Sequence, residues 1–292
     1  MWPLIALLAL DSTIVRRIAV APAETLAVTI AGSGAPVVIV PGLLGSAYGF
    51  RKVIPLLVES GFQVIVIEPL AVGHSSRPRR ADYSLEAQAG RVVRVMDTLA
   101  LDDAVLVGHS FGTAMILRAA VARPSLARAI VSLEGGPAES AVSPGFRRFM
   151  QFAPFVRLVG GARLVRRATR RSLTSSSGDA SWVTDEVIAE YTAGATADVG
   201  ATLLAYLRMS DAREQEPLAP HLGELLCPVR LVLGGAVHDS GPPGAELARF
   251  RVGVPQLEIE TIPGAGHYLQ EESPREVVRI IRAARGPVHA AR

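Results

Sequence analysis

Ser110 lies between two glycines in the run GHSFG (108–112), and a hydroxyl held in this way can act as a nucleophile in acyl transfer. The apolar run AVLV (104–107) precedes it, and an alanine-rich stretch with helical character follows as far as Pro124. This order of strand, sharp turn and helix is the context that a nucleophile elbow requires. Side chains two positions before and after the serine would collide with the strand and the helix, so glycines are needed there. We predict that Ser110 is the nucleophile rather than a turn residue.

The elements that must position this serine are short apolar runs alternating with helical patterns. The runs lie at 36–40, 64–67, 104–107, 129–133, 229–233 and 257–260. A helical stretch follows Ser84, a typical N-cap residue. Alternation of strand and helix, with continuous β-branched strands, indicates a sheet buried on both faces. We predict an α/β fold with a mostly parallel central sheet and helices on both faces.

The alternation stops at residues 138–215, where no strand pattern occurs. We predict that this segment is a helical cap inserted in a core made of residues 1–137 and 216–292. Within it, the run LTSSSGDAS (173–181) has the composition of a loop. One helical face carries apolar side chains suited to closing over a site. These are Phe146, Phe149, Met150 and Ala153.

Charge and composition limit the function classes. The 292 residues carry a net charge of +3, with Lys52 as the sole lysine, and the single cysteine, Cys227, excludes an internal disulfide framework. The apolar run at 1–10 is too short to span a bilayer and lacks the charged start of a secretory signal, which predicts a cytoplasmic protein. The alternative is weak contact with a membrane surface through this run and the cap. The cap arginines that would suit an anionic surface are Arg163, Arg166, Arg167, Arg170 and Arg171.

From about residue 25 onward the chain resembles the α/β-hydrolase fold family, whose nucleophile elbow matches GHSFG. The resemblance implies that the backbone N–H of Phe111 is one oxyanion donor and that a loop after an early strand supplies the other. That loop is VPGLLGSAYGF (40–50), and we assign the second donor to Leu43. The family usually has a histidine where this chain has Pro41. The loop EPLAVGHSSRP (68–78) resembles the family loop that shapes the site without doing chemistry.

The resemblance also implies a general base on a loop after the last strand. The run TIPGAGHYLQEESP (261–274) supplies His267, preceded by flexible glycines and followed by a helix start at Pro274. We expect Leu44, His109 and Tyr268 to line the substrate pocket.

The carboxylate that completes the triad has two candidates. The family most often places an aspartate in the loop after the strand VRLVL (229–233), but that position is His238 in this chain, and Asp239 is its neighbour. One subgroup of haloalkane dehalogenases carries a glutamate at the end of an earlier strand, which corresponds here to Glu134, and the run GHYLQEESP also resembles their histidine loop. Either carboxylate could accept the histidine N–H. We favour Glu134 and keep Asp239 as the alternative.

The nucleophile selects the reaction that the resemblance implies. Dehalogenases and epoxide hydrolases of this fold use an aspartate nucleophile, whereas Ser110 argues for acyl transfer through an acyl-enzyme. We therefore expect a carboxylesterase or lipase-like enzyme acting on small-molecule esters of apolar acyl or aromatic groups, without a metal or organic cofactor. Thioesters, lactones and carbon–carbon bond cleavage stay open, because the same triad serves them.

A second hypothesis is a non-catalytic, hydrolase-like protein whose pocket binds a small ligand, and it rests on His238 and Pro41 at the two atypical positions. Nucleic-acid binding is not expected, because the cap arginines are not interleaved with aromatics on a recognisable module. Oligomeric state does not follow from the sequence.

Overall fold

A computed structural model describes residues 13–140 and 161–286. Its centre is one sheet of eight strands in the order β1-β2-β4-β3-β5-β6-β7-β8. The strands are β1 (Ile14–Ala21), β2 (Glu24–Ala31), β3 (Ala35–Val40), β4 (Phe62–Ile67), β5 (Ala104–His109), β6 (Ala127–Leu133), β7 (Val229–Gly234) and β8 (Glu258–Ile262). The pairs β1–β2 and β2–β4 are antiparallel, and the other neighbours are parallel. The predicted α/β class with a mostly parallel sheet is confirmed.

Helices cover both faces of the sheet. Because successive strand residues point to opposite sides, alternate residues of one strand pack into different apolar clusters. In β3, Val38 and Val40 pack into one apolar cluster, whereas Val37 and Ile39 pack into another. The first cluster includes residues of α2 (Leu85–Thr98) and α3 (Phe111–Ala122). The second includes residues of α1 (Ile54–Glu59) and α9 (Pro274–Arg285). The helices α7 (Gly244–Gly253) and α8 (Leu269–Glu272) complete the carboxyl-terminal part.

Between β6 and β7 the described residues carry helices and no strand. These are α4 (Gly161–Ser175), α5 (Asp185–Ala197) and α6 (Val199–Asp211). Leu173 of α4 packs with Val187 and Tyr191 of α5 in a third apolar cluster, which also contains Tyr268. The core and cap boundaries at 138 and 215 stay a prediction. The predicted apolar face at 146–153 and the apolar run at 1–10 lie outside the described residues.

Several element boundaries differ from the sequence predictions. The stretch 173–181 is not entirely a loop, because α4 continues to Ser175 and residues 180–182 form a short 3-10 helix. β1 and β2 form a hairpin that the apolar-run criterion did not detect, because β1 is exposed over its first four residues. Ser84 caps α2 as predicted, since its hydroxyl accepts the N–H of Ala87. No described helix has the length and apolar character needed to cross a membrane.

Candidate active site

The predicted site residues follow the carboxyl ends of neighbouring parallel strands, where open α/β sheets bind ligands. Ser110 follows β5, Glu134 follows β6, and His267 lies beyond β8. The loop after β3 contains Leu43. The sheet order therefore brings together residues that are far apart in the sequence.

Ser110 occupies a strained turn between β5 and α3. Its φ of 50° and ψ of −120° lie in a region that non-glycine residues rarely adopt. Its backbone N–H donates to Leu133 O at 2.8 Å, which ties the turn to β6. A Cβ at Gly108 would lie 2.5 Å from Thr113 Cα, and one at Gly112 would lie 2.1 Å from Val40 O. The two glycines thus allow the close approach that the elbow needs.

Glu134 is buried at the end of β6, with 2% of its surface exposed and a φ of 55°. Its Oε1 accepts the backbone N–H of Gly234. Its Oε2 lies 3.6 Å from Nδ1 of His267, and neither of these two buried atoms has a hydrogen-bond partner among the described residues. The carboxylate is therefore next to the imidazole nitrogen that a triad acid would contact.

Asp239 lies in the exposed loop after β7 and borders the same cavity as Ser110. Within residues 13–140 and 161–286 it forms no ion pair with His267. Its neighbour His238 points inward instead, with 5% of the side chain exposed and Nε2 3.5 Å from Glu134 Oε2. Of the two carboxylates, Glu134 is the one beside His267.

The backbone of His267 is hydrogen-bonded at both its N–H and its carbonyl oxygen. Its N–H donates to Ser176 O at 2.7 Å, and its carbonyl oxygen lies 3.0 Å from Nε2 of His109. Burial, followed by the proximity of His267, lowers the pKa of His109 to about 3, so that its ring is neutral near pH 7. A neutral ring that donates from Nε2 to this carbonyl fixes the loop without adding charge beside the base.

The loop that contains Leu43 is held by side chains from two directions. Glu68 Oε1 accepts the N–H of Ala47 at 2.9 Å, and its Oε2 accepts the N–H of His74 at 2.5 Å. From α6, the Tyr206 hydroxyl donates to Leu43 O at 3.1 Å. Phe111 is the first residue of α3, and its N–H therefore has no acceptor within that helix. Leu43 and Phe111 both border the cavity.

A cavity of about 600 Å³ joins these residues. Ser110, Glu134 and His267 border it, and so do the three predicted pocket residues. Of those three, Leu44 is half-buried, whereas His109 and Tyr268 are buried and expose 4% and 6%. Apolar side chains make up much of the remaining wall, namely Leu43, Phe50, Phe111, Ala138, Pro242 and Pro243.

Three contributors to the site were not found from the sequence: Glu68, Tyr206 and Ser176. Glu68 opens the loop that was expected to shape the site, but its contact with Ala47 depends on the fold. Tyr206 and Ser176 act from the segment between β6 and β7. A sequence pattern carries no signal for such contacts, because they join loops that only tertiary structure brings together.

Glu134, His238 and His267 also offer three donor atoms within 4.8 Å of one another, a spacing that could hold a metal ion. The Ser240 N–H, however, donates to His238 Nδ1 at 3.3 Å. A neutral imidazole that accepts at Nδ1 carries its proton on Nε2, the atom that would have to bind the metal. The local hydrogen bonding therefore favours a donor at this position over a metal ligand.

Comparisons with known proteins identify the family of the chain. The profile of the alpha/beta hydrolase fold family matches residues 35–180. The uncharacterized hydrolase YugF of Bacillus subtilis is 28% identical over 237 residues, which span 81% of this chain and 85% of that protein. The sn-1-specific diacylglycerol lipase ABHD11 of Mus musculus is 26% identical over 254 residues, which span 82% of this chain and 77% of that protein.

Among solved structures, the epoxide hydrolase CorEH without ligand superposes with a TM-score of 0.80 at 22% sequence identity. The match covers 95% of this chain and 100% of that one. At this identity the likeness concerns the fold. Together with the family profile, the sheet topology and the elbow, it leads to one assignment: the chain belongs to the alpha/beta hydrolase fold family.

Proposed function

We propose that this protein is a serine hydrolase that cleaves carboxylic esters through an acyl-enzyme intermediate. The observation that carries the proposal is the buried pair of Glu134 and His267, 3.6 Å apart, which borders the same cavity as Ser110. A carboxylate beside Nδ1 leaves Nε2 of the imidazole available to accept a proton from a serine hydroxyl.

In the acylation step, His267 Nε2 takes the proton of the Ser110 hydroxyl while the oxygen attacks the ester carbonyl. The backbone N–H groups of Leu43 and Phe111 stabilise the oxyanion, and Glu134 stabilises the imidazolium that forms. The proton then passes from His267 to the alcohol, which leaves as the carbonyl re-forms. The product of this half-reaction is an acyl group on Ser110.

In the deacylation step, neutral His267 removes a proton from water, and the resulting nucleophile attacks the acyl-enzyme carbonyl. The same two N–H groups stabilise the second oxyanion. Ser110 then leaves with the proton from His267, and the carboxylic acid is released. No further group is required for either half-reaction to balance.

The substrate class follows from the cavity wall. A volume of about 600 Å³ with a largely apolar lining favours an acyl or aromatic ester of moderate size. The diacylglycerol lipase among the relatives supports a lipase-like substrate. The solved epoxide hydrolase CorEH, at 22% identity, shows that the same fold also serves another reaction. We favour the ester because an aspartate, not a serine, is the nucleophile expected for epoxide opening.

The test is hydrolysis of p-nitrophenyl butyrate by the wild type and by Ser110→Ala, with fluorophosphonate labelling of both proteins. We expect turnover by the wild type, a loss on the order of 10⁵-fold in Ser110→Ala, and one label per wild-type chain on Ser110. Absence of both turnover and labelling would favour the ligand-binding alternative. Labelling without turnover of the oxygen ester calls for the same assay with a thioester and a lactone.

A further inference from the structure

We propose that His238 is a positioning residue that orients the triad carboxylate of Glu134 toward His267. The inference rests on the proposed function, because it concerns the same acid. His238 lies in the loop after β7, and its Nε2 lies 3.5 Å from Glu134 Oε2. The distance from the same oxygen to His267 Nδ1 is 3.6 Å. One carboxylate oxygen therefore lies between two imidazoles.

A hydrogen bond within its own loop decides which ring nitrogen of neutral His238 carries the hydrogen. The backbone N–H of Ser240 donates to Nδ1 at 3.3 Å, so the neutral ring carries its hydrogen on Nε2, facing the carboxylate. In this tautomer His238 presents its Nε2–H to Glu134. A neutral donor can hold the carboxylate in place and leave its negative charge available to the His267 imidazolium.

Few other contacts among the described residues can orient the carboxylate of Glu134. Oε1 is occupied by the N–H of Gly234, and Oε2 has no hydrogen-bond partner among the described residues. The loop after β7 also closes on this oxygen, since a Cβ at Gly241 would lie 2.9 Å from it. A carboxylate that is hydrogen-bonded at one oxygen alone can still rotate about its Cγ–Cδ bond. A small shortening of the 3.5 Å separation would make His238 Nε2 the second point of contact, at Oε2.

The test is a double-mutant cycle measured as kcat and KM on p-nitrophenyl butyrate. The variants are His238→Ala, Glu134→Gln and the combination, with Val237→Ala, 99% exposed in the same loop, as the control for loop changes. We expect His238→Ala to lower kcat about tenfold with KM within about twofold, and to have no further effect once Glu134 is Gln. His238→Gln, which keeps an N–H donor, should recover part of the loss.

The outcomes separate the two proposals. If Glu134→Gln retains wild-type turnover, the proposed acid is wrong, whatever His238 does. If Glu134→Gln is impaired and His238→Ala lowers kcat equally in both backgrounds, His238 does not act through Glu134, and the inference is overturned. An unchanged kcat in His238→Ala, with the urea midpoint also unchanged, would overturn it as well.

The outer face of α4 is strongly basic. We propose that this face binds anionic lipid surfaces. It carries the exposed Arg163 and, three, four and eight residues after it, the exposed Arg166, Arg167 and Arg171. Residues at such spacings share one face of a helix. The whole helix contains no acidic residue, and within the described parts of the chain none of these four has an ion pair or hydrogen bond.

The opposite side of α4 faces the site. Thr169 and Leu173 are buried, and Ser172 borders the cavity. Leu164 exposes 37% of its surface beside the arginines, which adds an apolar contact that a lipid surface can accept and a phosphate backbone does not require. Binding through this face would bring a membrane next to the cap above the cavity. Charge and exposed apolar surface together favour lipid over nucleic acid.

The test is co-sedimentation with vesicles of 30% phosphatidylglycerol in phosphatidylcholine, and with pure phosphatidylcholine vesicles. The test variant changes Arg163, Arg166, Arg167 and Arg171 to Gln. The control variant changes four other exposed arginines, Arg79, Arg80, Arg251 and Arg275, and thus has the same net charge. We expect wild type and control to bind the anionic vesicles alike, and the test variant to bind at least about tenfold more weakly. Equal losses in both variants, no wild-type binding, or equal binding to duplex DNA would overturn the inference.

Discussion

Glu134, at the end of β6, and His267, beyond β8, approach to 3.6 Å between Oε2 and Nδ1. Both atoms are buried, and neither has another hydrogen-bond partner in the described ranges. The carboxylate of Glu134 thus lies beside the nitrogen that a triad acid would contact, whereas the exposed Asp239 forms no ion pair with His267 among the described residues.

The first prediction concerns this pair. Glu134→Gln removes the negative charge that stabilises the imidazolium, and we expect kcat to fall by about 10³ to 10⁴-fold. Asp239→Asn should change kcat by no more than about twofold. The measurement is steady-state hydrolysis of p-nitrophenyl butyrate by both variants. The reverse pattern would assign the acid to Asp239.

The second prediction concerns the elbow. Gly112→Ala would put a Cβ 2.1 Å from Val40 O, where backbone must move, and we expect a loss of about 2 kcal/mol in the free energy of unfolding. Activity should fall too, because Val40 leads into the loop of Leu43. Gly90→Ala is the control, since its Cβ meets nothing within 4 Å and α2 should gain up to about 1 kcal/mol. Urea denaturation measures the free energy of unfolding of both variants. Equal effects of Gly112→Ala and Gly90→Ala would refute the steric argument.

The third prediction concerns Glu271, whose side chain is fully buried beside Arg51 and Lys52. The Tyr191 hydroxyl of α5 also donates to its Oε1 at 2.9 Å. Glu271→Gln leaves two partly exposed cations without their counter-charge, and we expect the free energy of unfolding to fall by about 2 kcal/mol.

The control for this prediction is Asp103→Asn, which breaks an exposed ion pair with Arg128 and should change stability by no more than about 0.5 kcal/mol. Urea titrations of the two variants and the wild type make the comparison. Equal losses would show that burial of the Glu271 carboxylate does not matter.

The fourth prediction concerns pH. Burial lowers the pKa of His109 from 6.5 to about 3 in the folded protein, so the unfolded chain binds more protons between these values. The free energy of unfolding therefore rises with pH across this window. The contribution of His109 is fully present above pH 6.5 and is lost as the pH falls toward 3. At pH 5 the loss from this one residue is about 2 kcal/mol.

Glutamine at position 109 does not titrate. Between pH 7.5 and pH 5 the free energy of unfolding of His109→Gln should therefore fall by about 2 kcal/mol less than that of the wild type. Urea midpoints at the two pH values measure the difference. His221→Gln is the control. That exposed histidine pairs with Glu224, which raises its pKa, so its replacement should not reduce the stability lost between pH 7.5 and pH 5. A wild-type pH dependence unchanged by His109→Gln would contradict the prediction.

The sequence predicted the parts of the fold that depend on local pattern. Six apolar runs marked β3 to β8 to within two residues, because strands buried on both faces are continuous and β-branched. The elbow was found because strand, glycines and helix are contiguous. β1 and β2 were both missed; β1 is exposed over its first four residues, which include two arginines, and so has no such pattern.

Tertiary contacts limited the prediction of the site. The resemblance to the family left Glu134 and Asp239 as alternatives, because it implies an acid after either of two strands. The relative positions of β6 and β7 then bring Glu134 Oε2 to both His267 and His238. The contacts of Glu68, Tyr206 and Ser176 depend on loops meeting in space, which spacing alone does not encode.

The most direct test of the central claim is to trap the acyl-enzyme. Wild-type protein is mixed with p-nitrophenyl butyrate, quenched in acid within the first turnovers, digested and analysed by mass spectrometry. The account predicts one butyryl group on the peptide that contains Ser110 and none in Ser110→Ala. Hydrolysis that proceeds with no adduct on Ser110, or with the butyryl group on another residue, would contradict it.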